Sequence, residues 1–220
     1  MNSAHARKRV TQPRPKVRVS GQQARTLATR RRLLAAAEKT FARDGFEAAR
    51  LEDIAGLAGY TRGAFYAHFH GKEDIFFALL EDWVRARIGE VNALLAEQES
   101  PAKRLRAVRQ HYAQVAGDRR LALLALEFKL FAIRHPEAHA RLRARQRRIR
   151  HSAGDLLLRI AASTKRTLPV ASMGAAAALG ALANGLLLEN LVDGATLSDQ
   201  DVRYLLGVFF DAILGPPATP

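Results

Sequence analysis

An all-α fold is what this sequence predicts, and three observations carry the prediction. Apolar residues recur at spacings of three and four through most of the 220 residues, as amphipathic helices require. The two-residue alternation of a strand is absent. Helix punctuation is also regular, with Gly45, Gly59, Gly117 and Gly215 closing apolar runs and Pro101, Pro136 and Ser198 opening them. At 48% hydrophobic residues the chain can bury a substantial core, and its length suits a small domain plus a larger one.

The first 28 residues stand apart. Lys and Arg number 35 against 21 Asp and Glu, a formal net charge of +14 that points to a polyanionic partner. Arg7, Lys8, Arg9, Arg14, Lys16, Arg18, Arg25, Arg30, Arg31 and Arg32 all precede the first acid, Glu38, so most of the excess lies at this end. With Pro13, Pro15 and Gly21 and few apolar positions, residues 1–28 are expected to be a disordered basic arm. Such an arm either follows phosphates or the minor groove by counterion release, or serves only solubility. No apolar segment follows the charges, so the pattern is not that of a secretory signal.

The first helix is predicted from about Thr29 to Arg43, with Leu33, Leu34, Ala37 and Phe41 as its buried stripe. Gly45 ends it and Phe46 folds back onto its last turn. Leu51 to Lys72 then form two short helices about a glycine turn. Leu51, Ile54, Ala55 and Ala58 share one face of the first, and Gly59 supplies the left-handed conformation that closes it. Thr61 caps the second, whose inner face carries Phe65 and Phe69. Small Ala55 permits a close crossing of the two. This is a helix-turn-helix. Its outward face presents Arg62, Tyr66, His68 and Lys72 as hydrogen-bond donors beside small Gly63 and Ala64, which allow close approach to base edges. Glu73 opens the next helix, to about Leu95, with acids at the positive end of its dipole and Ile75, Phe76, Leu79, Leu80 and Trp83 facing the core.

The segment IAGLAGYTRGAFYAHFHGKEDIF, followed by ALLEDW, makes residues 29–83 resemble the TetR/AcrR family of bacterial transcriptional regulators. The resemblance covers about a quarter of the chain; the remainder matches only in helical character and length. It implies that Arg62, Gly63 and Ala64 face bases, that Tyr66, His68 and Lys72 hold phosphates, and that Thr61 caps and touches phosphate. Two positions depart from the family pattern. Arg50 stands where a capping threonine is usual, giving a weaker cap and a possible phosphate contact. Tyr60 replaces a small aliphatic residue, and its ring is expected either to pack in the turn with the hydroxyl exposed or to reach toward DNA. His70 reads as a loop residue.

Beyond Trp83, one helix runs from Pro101 to near Gly117 and another from Arg119 to Arg134. In the latter, Glu127 is an acid in an apolar segment and needs a partner or a wet cavity. It is expected either to form a salt bridge at the core's edge or to line an effector pocket with His111, Tyr112, Phe128 and Phe131. The helix from Glu137 to about Thr164 carries Arg141, Arg143, Arg145, Arg147, Arg148 and Arg150 opposite an apolar stripe of Leu142, Ile149, Leu156 and Ile160. A solvated face is the expectation for these arginines. Residues 170–188 lack charge over a membrane-spanning length, but small residues dominate, with Ser172 and Asn184 inside, so no membrane span is expected. Gly174, Ala178, Ala181 and Gly185 permit close helix approach in a core or a dimer. The last helix, opened by Ser198, Asp199 and Asp201, carries Val202, Leu205, Leu206, Phe209, Phe210 and Ile213 up to Gly215. That is more apolar surface than one neighbour covers, and the resemblance implies a four-helix dimer contact through the last two helices.

The full expectation is therefore a three-helix DNA-binding domain at 29–75, a helical effector-binding and dimerisation domain at 76–215, and a tail at 216–220. The chain has no cysteine, which fits a reducing cytoplasm and excludes thiolate metal sites and cysteine nucleophiles. No nucleophile, metal constellation or phosphate-cradling loop is visible, so neither an enzyme nor a cofactor is expected. The function expected is a homodimeric, sequence-specific regulator of transcription, a repressor released from a palindromic double-stranded DNA operator by a small-molecule effector. The alternative is a basic architectural or RNA-binding protein without an effector.

Overall fold

A computed structural model describes residues 21–216, side chains at 121 and 136–142 excepted. Residues 1–20 of the arm predicted at 1–28, and 217–220 of the predicted tail, lie outside the described residues. Among the described residues nine helices are formed: α1 (Gly21–Ala48), α2 (Leu51–Leu57), α3 (Arg62–Tyr66), α4 (Lys72–Glu97), α5 (Pro101–Ala116), α6 (Arg119–Arg134), α7 (Pro136–Ser163), α8 (Ser172–Val192) and α9 (Asp199–Leu214). The all-α prediction and the order of elements agree with this.

α1 begins eight residues earlier than the buried stripe indicates, so residues 21–28, assigned to the arm, are helical. These positions are exposed, and no burial pattern marks them in the sequence. At its other end α1 is broken by Gly45 (φ 76°, ψ 173°), and Phe46 folds back into the core with no exposure. α5 and α9 start as their sequences require: Ser100 Oγ accepts from Lys103 N–H, and Ser198 and Asp201 form a reciprocal capping box.

Three clusters of buried side chains hold the helices. The first joins Leu33, Phe41, Phe46, Ile54, Phe65, Phe69 and Phe76 of α1–α4 to Leu124 and Phe128 of α6. Phe128 stacks on Phe76 at 4.5 Å and meets Phe46 edge-on at 5.2 Å. Side chains from both sides of residue 75 therefore share one core. The second cluster gathers Val91, Val108, Leu157, Ile160, Leu179 and Phe210 from α4, α5, α7, α8 and α9. The third joins Ala122, Ala183, Leu187, Val202 and Leu206. α8 is long and apolar enough to cross a membrane by length and composition alone, and it packs along α7 and α9 through Ala175, Leu179, Ala183 and Leu187. Of the α7 arginines, Arg145 leaves the solvated face: it pairs with Asp74 and, at 3.3 Å, with Glu81, and lies over the Phe77 ring.

Candidate nucleic-acid interface and cavity

The turn between α2 and α3 is built by Gly59 at φ 76°. That conformation lets Gly59 N–H reach Gly56 O at 3.0 Å and Tyr60 N–H reach Ala55 O at 2.8 Å, closing α2. Ala55 is 1% exposed, as a close crossing of α2 and α3 requires. Thr61 Oγ1 accepts from Ala64 N–H at 3.2 Å and caps α3. Helical hydrogen bonds continue past Tyr66 to Phe69, whose N–H reaches Phe65 O at 3.0 Å. Buried Phe65 and Phe69, 5.7 Å apart, anchor the inner face of α3, and Arg30 of α1 lies over the Phe69 ring.

With that face fixed, Arg62, Gly63 and Tyr66 are exposed on the opposite side, and Ala64 and His68 are half-buried. A Cβ at Gly63 would meet nothing closer than 3.8 Å, so no internal packing demands glycine there. Arg62 Nη1 lies 3.0 Å from Glu52 Oε1, and its Nη2 reaches the Tyr66 hydroxyl at 3.4 Å. The Tyr66 hydrogen bond first, and the Glu52 charge after it, hold the guanidinium more firmly protonated than usual. Tyr60 packs against the first core, half-buried. Arg50 occupies the N-cap of α2 with no side-chain cap, as its residue type predicts.

Lys72 is less free than its place in the motif indicates. Nζ donates to Glu47 O at 2.6 Å and sits 5.0 Å above the Phe46 ring. Burial pushes this ammonium's pKa below its ordinary value, against the pull of Glu73 and Glu47. His70 contributes its backbone, donating to Asp74 Oδ2 at 3.0 Å.

The expected pocket set divides. A cavity of about 330 Å³ lies among α4–α9, and His111 and Tyr112 line it. Glu127, Phe128 and Phe131 do not line it; they turn toward the end of α1. Glu127 Oε2 accepts from Phe46 N–H at 2.5 Å, and a Cβ at Gly45 would come within 2.9 Å of the same oxygen. Phe131 lies 5.0 Å from Phe46. The acid's partner is thus neither a cation nor a ligand but a backbone donor freed by the helix break. The cavity wall is mainly aliphatic, with Trp83, Arg87, Ile88 and Val91 from α4 and Leu156, Leu179 and Phe210 opposite. Arg87 was missed in the sequence. The available signal is its place four residues after Trp83, a charge on the apolar face of α4.

The sequence pattern described as "Bacterial regulatory proteins, tetR family" matches residues 33–79, and that of the "BetI-type transcriptional repressor, C-terminal" matches residues 101–215, more than half of the chain. The chain belongs to the TetR family. Among relatives, the HTH-type transcriptional regulator TtgR of Pseudomonas putida is 47% identical over 53 residues, 24% of this chain and 25% of TtgR. The transcriptional repressor BepR of Brucella suis is 42% identical over 67 residues, 30% of this chain and 31% of BepR. The matches thus span only a quarter to a third of these relatives. A TetR-family regulator from Mesorhizobium loti shares the fold, with a TM-score of 0.62 at 21% identity over 86% of this chain and 96% of that one. The helix-turn-helix of α2 and α3 lies within the residues matched by the tetR-family pattern.

Proposed function

We propose that the protein is a homodimeric repressor that reads a roughly palindromic operator with α3 and is released when a small molecule fills the cavity. The observation that carries this reading is the continuity of α4. In its first turn Lys72 bonds to Glu47 O of α1 while Asp74 pairs with Arg145 of α7, and Trp83 and Arg87 on the same rod form part of the cavity wall. Fifteen residues separate Lys72 from Arg87, about 22 Å along one helix. A ligand that favours a different tilt of α4 thereby moves α3, and does so only by binding that state better. Arg62 and Tyr66, with Gly63 and Ala64 between them, are proposed to face bases. Thr61, His68, Arg50 and Tyr60 are proposed to lie at phosphates, as is Lys72 through the two ammonium protons that Glu47 leaves over.

The dimer is supported by an outward stripe on α8, where Gly174, Ala181, Gly185, Leu188 and Val192 are exposed at helical spacing, beside exposed Tyr204 and Val208 on α9. Two such faces make a self-complementary four-helix contact. Genomic footprinting tests the whole reading. Protection of short two-fold sites, with base preference relaxed at one position in Arg62→Ala, is expected; uniform, sequence-blind protection contradicts it and favours a basic architectural protein.

A further inference from the structure

Among the few polar groups of the cavity wall, Arg87 and His111 meet at one corner. Arg87 Nη2 lies 2.7 Å from Glu90 Oε1, and His111 Nε2 lies 3.1 Å from Glu90 Oε2, so the guanidinium and the imidazole flank one carboxylate. Both line the cavity, and Arg87 keeps a buried nitrogen, Nε, without a hydrogen-bond partner among the described residues. A buried donor left unmatched is costly, and most so when it belongs to a charged group. Of the other polar groups of the wall, which include Asn184, two are already engaged. Tyr112 donates its hydroxyl to Leu179 O at 3.0 Å, and Asp118 accepts from Arg120 N–H at 3.1 Å.

We propose that the cavity takes an apolar molecule ending in a single carboxylate, held at this corner by Arg87 Nε with the His111 ring beside it. The inference rests on the reading of the cavity as the effector site. A carboxylate oxygen matches the unpartnered Nε–H of Arg87, and a charge-assisted bond from a guanidinium is about twice as strong as a neutral one. Glu90 does not exclude a second carboxylate, because its side chain is 41% exposed and keeps its water. A cationic ligand is disfavoured on the same grounds. The indole face of Trp83 that would hold it is already covered by the Arg87 guanidinium, 5.7 Å from the ring centre.

Trp83 is the sole tryptophan of the chain and lines the cavity, so its fluorescence reports occupancy directly. The full-length protein is titrated with submillimolar decanoate, methyl decanoate and decyltrimethylammonium. Decanoate is expected to give a saturable change, with the other two at least about tenfold weaker. Arg87→Met should cost decanoate at least about tenfold and leave the ester unchanged. Gly180→Leu should abolish all binding, since a Cβ at this wall position meets nothing within 4 Å and the longer side chain can occupy the space. Should Arg87→Met fail to fold, the three wild-type titrations decide alone. Ester or ammonium binding as tight as decanoate, or no response to decanoate, overturns the proposal. Decanoate binding with operator affinity untouched would leave it standing and overturn the effector reading instead.

Discussion

Arg62 is held on the protein surface by groups it can leave at little cost. Its pair with Glu52 is exposed on both sides, and such pairs contribute about 0–1 kcal/mol. Exchange of Glu52 for a base edge is therefore cheap, and Arg62→Ala is expected to lower discrimination at one base pair by about 1–3 kcal/mol in competition anisotropy. Lys72→Ala should act differently. It removes a bond to Glu47 as well as a charge, so a lowered melting temperature should accompany a loss of affinity similar on all sequences. A melting shift with an unchanged salt slope would assign Lys72 to structure alone. Arg50 offers the converse case. Arg50→Thr supplies the oxygen that α2's N-cap lacks, so stability should rise by about 0.5–1 kcal/mol while DNA affinity falls with the lost charge. Thermal melts paired with binding curves check both signs.

At the scale of elements, α2–α6 and α9 begin or end within two or three residues of the positions their caps, prolines and glycines indicate, because those signals act locally. The start of α1 was not legible, since residues 21–28 bury little and carry no cap signal. Nor was the role of Glu127. An acid in an apolar helix declares a need for a partner, but only the tertiary approach of α6 to the break after α1 shows that the partner is Phe46 N–H. That contact ties α6 to the turn beside Lys72. Glu127→Ala should leave a partly buried N–H unmatched and cost about 1–3 kcal/mol by denaturant unfolding. Gly45→Ala should add a clash with the Glu127 carboxylate to the cost of the left-handed conformation, and Glu127→Ala should relieve the clash while the conformational cost remains. Strict additivity in that double-mutant cycle would contradict the contact.

For the whole molecule, charge and recognition are divided along the chain. Residues 50–72 carry Arg50, Arg62 and Lys72 against Glu52 and Asp53, a net of only +1, whereas residues 1–20 carry six Lys and Arg and no acid. Deletion of residues 1–20 should therefore weaken specific and random DNA alike and flatten the salt dependence, by up to about 5 in slope. The family and the helix-turn-helix were legible from one local motif, whereas the cavity was not, because α4 through α9 converge on it from distant parts of the sequence. The most direct test of the central claim is selection of binding sites by the wild-type protein from a random duplex pool at physiological salt. Enrichment of a short two-fold motif, with half-sites about one helical turn or a multiple apart and one conserved position lost in Arg62→Ala, is the result predicted. A pool that gains affinity without any motif, or one whose motif survives Arg62→Ala intact, would contradict it.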